Sequence, residues 1–353
     1  MQVRLGLLQL RLTGSSILPM CLACAFVVGL GPLRCSAQDT VVLVGSGSTV
    51  PAPLYTKWAE EYNKRNPRNK MRYLALGTSE SIKQISEGSG DFAAGEVPLT
   101  AKERADGGLI EVPAILIGIV PIYNLPGVAG ELRLTGAVLA DVFLGHVKTW
   151  NSPSIAKLNP QLSLPELPIK VVYRPAGKGS NYVFSEFLSK NSAAFKTQIG
   201  ISPSPQWPVG SAAARSSDMA EKVSSEPGSI GFVEAQYAIK LNIPQAAVLN
   251  LAGHFVKASE KTLAAACQAV EAPGFDRLSA SLTNAPGGES YPITSFSWLY
   301  LRRASSDVRR AAALADLLNW VFTSGQQIAD QEGYTALPPQ LLAKVKIKID
   351  SLR

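Results

Sequence analysis

Residues 45–58 read GSGSTVPAPLYTKW, and the way this stretch divides decides the fold. Four apolar residues, Val41-Val42-Leu43-Val44, precede it with the density of a buried strand. Behind it, Leu54, Trp58 and Tyr62 recur at i, i+4 and i+8, which predicts a helix over 51–65 with one apolar face. A strand, a Gly/Ser/Thr turn and a helix N-terminus therefore follow in direct succession. Such a turn leaves backbone N–H groups unpaired at the positive end of the helix dipole, an arrangement that favours an anion. No Gly-Lys-Ser/Thr follows, so the stretch is not a nucleotide-binding P-loop.

The same unit recurs twice. LGTSES at 76–81 lies between a strand at 72–76 and a helix at 79–87, and AGKGSN at 176–181 between a strand at 169–173 and a helix at 182–188. Ordinary helix capping is the competing reading of each loop, because Ser, Thr and Gly are common at N-caps. Further strands are read at 91–94, at 115–123 and from 292 (PITSFSWLYLRR), and SIGFVEAQYAIK at 229–240 reads as a strand entering a helix. A last long helix over 307–323 has Leu314, Leu317, Leu318 and Val321 as its buried stripe and Gly325 as its stop signal. This βαβα order predicts an α/β protein with a largely parallel sheet and no internal repeat.

Two charged residues sit where such loops would use them. Arg174 ends a predicted strand just before the third loop, where a guanidinium can fork onto a tetrahedral oxyanion. Glu96 follows the strand at 91–94, and a carboxylate there accepts the proton of a protonated oxyanion while rejecting an oxyanion that has none. A surface arginine and a solvated loop acid are the plainer alternatives. Enzyme motifs are thin. SIAK at 154–157 matches Ser-x-x-Lys, but no Ser-Asp-Asn or Lys-Thr-Gly accompanies it, and there is no Gly-x-Ser-x-Gly elbow. Binding is favoured over catalysis.

The chain has 353 residues, 46% hydrophobic and 17% charged, enough mass for two domains. Residues 1–37 differ from the rest. They hold Arg4, Arg11 and Arg34, no acid, an apolar run at 17–30 and the small residues Cys35-Ser36-Ala37 before Gln38. This reads as a cleaved secretory signal peptide, with an uncleaved anchor or lipid attachment at Cys24 as alternatives. Cys21, Cys24 and Cys35 leave with it, so the mature chain keeps only Cys267, read as a core thiol, and cannot form an internal disulfide. One cysteine with His146 and His254 also makes a zinc site improbable. Loss of the three leader arginines lowers the formal charge from +7 to +4. The basic residues are dispersed and not interleaved with aromatics, which argues against a nucleic-acid partner.

Several segments together resemble the phosphate-binding proteins of bacterial ABC phosphate transporters. They are GSGSTVPAPLYTKWAEEY (45–62), LGTSESIKQISEGSGDFAAGEVPLT (76–100), VVYRPAGKGSNYVFSEFL (171–188), WPVGSAAARSSDMAEKV (207–223), PGSIGFVEAQYA (227–238), YPITSFSWLYL (291–301) and YTALPPQ (334–340), in order along the mature chain. The resemblance implies a two-lobed α/β periplasmic-binding-protein fold of type II, with the ligand cleft between the lobes and two crossing hinge strands near 120–124 and 292–297. Lobe 1 would take 38–119 plus 293–353, and lobe 2 would take 120–292. The implied protein is a periplasmic monomer without cofactor or enzymatic activity. It captures HPO₄²⁻ or H₂PO₄⁻ and docks on a membrane ABC permease with a cytoplasmic ATPase. The implied ligand set is the hydroxyl and backbone of Thr49, the N–H of Val50, Thr78, Glu96, Arg174, Lys178, Gly179 and Ser180. Three departures stand out. Glu96 replaces the family's proton-accepting aspartate, Lys178 a loop serine, and Ala176 the aspartate that braces the arginine. They keep open a second reading, a binding or sensor protein for another tetrahedral oxyanion such as sulfate, arsenate or a phosphonate.

Overall fold

The computed structural model describes residues 40–106, 108–270, 280–303 and 307–350. The signal-peptide assignment falls on residues outside this set. The order begins with β1 (Val41–Gly47), α1 (Ala52–Arg65), β2 (Asn69–Leu74), α2 (Thr78–Ser86), β3 (Phe92–Gly95), α3 (Ala101–Ala105) and β4 (Leu109–Tyr123). There follow β5 (Arg133–Leu134), α4 (Gly136–Phe143), α5 (Pro153–Ala156), β6 (Lys170–Tyr173), α6 (Gly179–Asn191), α7 (Ala193–Gln198), β7 (Ser211–Ala212), α8 (Ser216–Ser225), β8 (Ser229–Glu234) and α9 (Ala235–Lys240). Next come β9 (Ala247–Leu249), β10 (Phe255–Val256), α10 (Glu260–Val270) and β11 (Thr294–Arg302), then α11 (Val308–Val321), α12 (Ser324–Gln331) and α13 (Pro339–Asp350). Among the described residues no helix is long and apolar enough to cross a membrane.

Eight strands form one sheet in the order β2-β1-β3-β11-β4-β8-β6-β7, and β10-β9-β5 form a small second one. The α/β class holds, but the sheet is only half parallel. β1 pairs in parallel with β2 and β3, and β6 with β7 and β8, whereas β11 and β4 bring three antiparallel pairings to the middle. The cause is topological: β11 returns from far along the chain and enters beside β3 and β4 in the opposite sense.

β4 makes this a two-lobed fold. From Leu109 to Gly118 it pairs with β11, and from Ile119 to Tyr123 it pairs with β8, so one strand serves both halves of the sheet. Where it changes partner, the Ile119 N–H donates to the Ile293 carbonyl at 3.0 Å. All fifteen residues of β4 are buried, as suits a strand covered on both faces. Pro113 is tolerated because it lies at the register shift next to Ser297 and Trp298, where the ladder is already interrupted.

Each half has its own aromatic core. In the first, Trp58 on the apolar face of α1 meets Tyr55 edge-on at 4.9 Å and donates from Nε1 to the Gly325 carbonyl at 2.8 Å. In the second, Phe184 stacks on Phe232 at 4.3 Å, with Phe143 and Trp207 around them. Cys267 is buried in α10, as its apolar surroundings predict. At the C-terminal side the expectation fails. The helix at 307–323 ends at Val321, two helices follow it, and Gly325 lies inside α12. Its role is proximity, since a Cβ there would touch the Trp58 ring at 3.4 Å.

Candidate functional site

The opening stretch is built tightly before it is built for a ligand. β1 extends through Gly47, and a Cβ at Gly45 would fall 2.0 Å from the Phe92 ring, while one at Gly47 would fall 2.4 Å from the Ala94 carbonyl oxygen and the Tyr73 hydroxyl. The glycines thus let β1 lie against β3 and β2 at close range. Just beyond, the Ser48 N–H donates to the Ala94 carbonyl at 2.9 Å, the Tyr73 hydroxyl donates to the Ser48 carbonyl at 2.9 Å, and the Val50 N–H donates to Ser48 Oγ at 3.1 Å. The loop is therefore held at Ser48, and Thr49 projects from a fixed base at the start of α1.

The second loop meets the first. Gly77, at φ +108°, is in a conformation that favours glycine, and its N–H donates to the Gly47 carbonyl at 2.8 Å. α2 then starts at Thr78 without a side-chain cap. Thr78 is fully buried and its Oγ1 donates to Glu96 Oε2 at 3.3 Å. Glu96, one residue past β3, is fully buried as well, and its Oε1 has no hydrogen-bond partner.

From the other half, β6 delivers Arg174, which is 1% exposed. Its Nη1 donates to Ser216 Oγ at 3.0 Å, and its Nη2 donates to Thr49 Oγ1 at 3.0 Å and to the Ala214 carbonyl at 3.1 Å. Its Nε has no partner. Asn181 Nδ2 fixes the loop after it, donating to the carbonyls of Arg174, Pro175 and Pro203. α6 begins at Gly179, three residues before the helix start expected at 182, again without a side-chain cap. Ser180 is buried with its Oγ unpaired. A Cβ on Gly179 would lie 1.9 Å from Glu96 Oε2, so the N-terminal turn of α6 is seated directly on that carboxyl. The Ser79 N–H also donates to the Gly177 carbonyl at 3.3 Å. Thr49, Thr78, Glu96, Arg174, Gly179 and Ser180 thus converge from both halves on one cleft, and unpaired buried polar atoms mark it.

Two carboxyls and two cations share the cleft. Burial raises Glu96 to about 7, with repulsion from Glu234 adding to this and the Ser48, Ser297 and Thr78 hydroxyls pulling the other way. Glu234, at the end of β8, is raised by burial against the opposing pull of Arg174. It was not singled out in the sequence, nor were Ser48, Ser216 and Ser297. Ser216 Oγ, which accepts from Arg174, donates to Glu234 Oε1 at 2.8 Å. Arg174 is therefore braced from α8 and β8. Ala176, which is exposed, leaves the arginine's own loop without an acid, and the side chain is held from Ser216, with Glu234 behind it, instead.

Lys178 is half-buried. Its Nζ lies beside Gly77, 3.2 Å from where a Cβ there would stand, at the starts of both α2 and α6. Among the described residues it has no ion pair and no side-chain hydrogen bond, so it does not pair with Glu96. Burial lowers its pKa, and Arg174 adds to the shift.

A polar cleft between the halves of a two-lobed α/β chain is the architecture of the type II periplasmic binding proteins. A model of the PBP superfamily domain matches residues 35–324. The phosphate-binding protein PstS of Xylella fastidiosa is 35% identical over 314 residues, covering 88% of this chain and 86% of its own. That of Pasteurella multocida is 36% identical over 305 residues, covering 86% and 88%. Among solved structures, the periplasmic phosphate-binding protein PfluDING, bound with phosphate, superposes with a TM-score of 0.69 at 19% identity, covering 88% of this chain and 93% of its own. The chain belongs to the PBP superfamily and, within it, to the family of the phosphate-binding proteins PstS.

Proposed function

We propose that this protein captures inorganic phosphate, as HPO₄²⁻ or H₂PO₄⁻, between its two halves and delivers it to a membrane ABC permease driven by a cytoplasmic ATPase. It works as a periplasmic monomer, exported by a leader cleaved before Gln38. It needs neither a cofactor nor a covalent step. The lobes are 38–119 with 293–353, and 120–292. The observation that carries the reading is the convergence of Arg174 with the starts of α2 and α6, neither of which has a side-chain cap, among buried unpaired polar atoms. The names of the PstS relatives point to the same ligand.

In this reading Arg174 presents Nε and its fork to the anion. The hydroxyls of Thr49, Thr78 and Ser180 and the amides of Thr49, Gly179 and Ser180 donate to its oxygens. The Val50 N–H exchanges Ser48 Oγ for a ligand oxygen, Lys178 supplies a second positive charge, and Glu96 handles the ligand proton. Closure of the cleft removes water and strengthens each of these bonds.

Calorimetric titration of the mature protein with phosphate is the test. Saturable one-to-one binding that Arg174→Met abolishes, with the folded variant intact by circular dichroism, is expected. Saturable binding that survives Arg174→Met unchanged would remove the cleft as the site, and no binding to the wild type would remove the function.

A further inference from the structure

Three groups fix the plane of the Arg174 guanidinium, and two of them, the Ala214 carbonyl and Ser216 Oγ, flank the start of α8. Nε is the nitrogen left without a partner. Ser216 has a single proton to give. It goes to Glu234 Oε1 at 2.8 Å, so the lone pairs of the hydroxyl are left to accept from Arg174 Nη1 at 3.0 Å. Glu234 is anchored in the ladder opposite Ile119, where β4 changes partner, and its second oxygen has no hydrogen-bond partner. Glu234 and Ser216 are both buried, at 0% and 2% exposure. Two short bonds closed to water thus join the middle of the sheet to the arginine of the cleft. The arginine's own loop, PAGKGSN at 175–181, holds no acid, so the acid behind Arg174 is met through Ser216.

We propose that Glu234, acting through Ser216, is a positioning residue for anion capture: an acid in an anion-binding cleft whose presence strengthens binding. The inference rests on the reading of this cleft as the phosphate site and adds to it the group that aims its arginine. Charge alone gives the opposite expectation, since a carboxylate near the site repels an anion and a neutral carboxyl is indifferent to it. The relay reverses the sign. Accepting from Ser216 fixes the hydroxyl rotor and polarises its oxygen, which strengthens the bond from Arg174 Nη1. A guanidinium held at both Nη atoms keeps its Nε in one direction before the ligand arrives. Without the relay the ligand itself must order a long, rotamer-rich side chain, and that entropy is taken from the affinity.

The test is calorimetric titration with phosphate of the wild type, Ser216→Ala, Glu234→Met, the double variant and Glu234→Gln, each checked for folding by circular dichroism. Ser216→Ala and Glu234→Met should each raise the Kd by about three- to tenfold. The double variant should bind no more weakly than the weaker single one, because both substitutions cut the same relay. Glu234→Gln keeps an acceptor oxygen without the charge and should stay within about twofold of wild type. Unchanged or tighter binding in either Ser216→Ala or Glu234→Met, or losses that multiply in the double variant, would overturn the inference and leave the phosphate reading standing. A loss in Glu234→Gln as large as in Glu234→Met would also overturn it, since charge and not aim would then be what Glu234 supplies. If Glu234→Met does not fold, Ser216→Ala and Glu234→Gln decide between them: loss in the first with retention in the second is expected, and any other pattern overturns the inference. Absence of phosphate binding to the wild type would overturn the inference together with the reading beneath it.

Discussion

Gly179→Ala isolates what contact between the halves contributes to binding. The added methyl would stand 1.9 Å from Glu96 Oε2 and 2.7 Å from Thr78 Oγ1, against an ordinary contact of about 3.5 Å. Glu96 is fully buried and has no room to withdraw, so the halves must separate at this point by about 1.5 Å. The backbone of Gly179 is not in the left-handed region, and alanine is the better helix former, so α6 itself should be unharmed. Withdrawal on that scale takes the amides of Gly179 and Ser180 beyond hydrogen-bond range of an anion held by Thr49 and Thr78. Two charge-assisted bonds at about 1.5–3 kcal/mol each give a loss of about 3–6 kcal/mol, or about 10²–10⁴-fold in Kd. Phosphate calorimetry read beside thermal unfolding of the ligand-free protein should show that loss with the melting temperature unchanged or slightly higher. Adding Glu96→Asp, which retracts the carboxyl by about one C–C bond, ~1.5 Å, should restore part of the affinity. A Kd for Gly179→Ala within about threefold of wild type would refute the reasoning.

Three further outcomes follow from the described contacts. Ser216→Ala leaves Arg174 Nη1 and Glu234 Oε1 without their shared partner, so it should cost about 1–3 kcal/mol in urea unfolding and weaken phosphate binding. Glu96 is neutral in the folded protein up to about pH 7 but ionises near 4.5 when solvated, so the stability it contributes is fully present below about pH 4.5 and is lost as pH rises through about 7. The loss is about 3 kcal/mol in the ligand-free protein, and Glu96→Gln should flatten the pH profile of unfolding over that interval. Arg310→Met removes the forked bond to Asp91, whose carboxylate also accepts from the Val44 N–H, and should destabilise by about 2 kcal/mol, read as a lower urea midpoint at unchanged slope.

The first βαβα run was legible because each element carries its own period. Leu54, Trp58 and Tyr62 are buried as their spacing predicts, and the loops at 45–50, 76–81 and 176–181 do start helices α1, α2 and α6. β4 was read six residues short, since Glu111 and Pro113 interrupt its apolar run. Glu111 is buried there because it accepts from Arg104 Nη2 and the Leu99 N–H, both at 2.7 Å, partners that no local pattern announces. Gly325 looked like a stop signal, whereas the interruption comes at Thr323, whose hydroxyl donates back to the Asn319 carbonyl at 2.7 Å. In the site, Arg174 and Glu96 were legible as strand-end charges. Glu234 looked like any acid between a strand and a helix, and its part in the cleft depends on Ser216, eighteen residues away. Nothing in either local sequence marks that pairing.

The sharing of β4 between both halves has a mechanical consequence. On either side of Gly118 the strand is clamped by ladder bonds, to β11 before it and to β8 after it. A ribbon clamped along both lengths resists folding over like a page and yields in torsion, because twist is its soft coordinate. Torsion in this one strand would therefore set the angle between the two halves, as in a torsion spring. A Cβ at Gly118 would press within 2.9 Å of Leu263 on α10, so the residue where the strand changes partner is also a place where added bulk would alter that torsion.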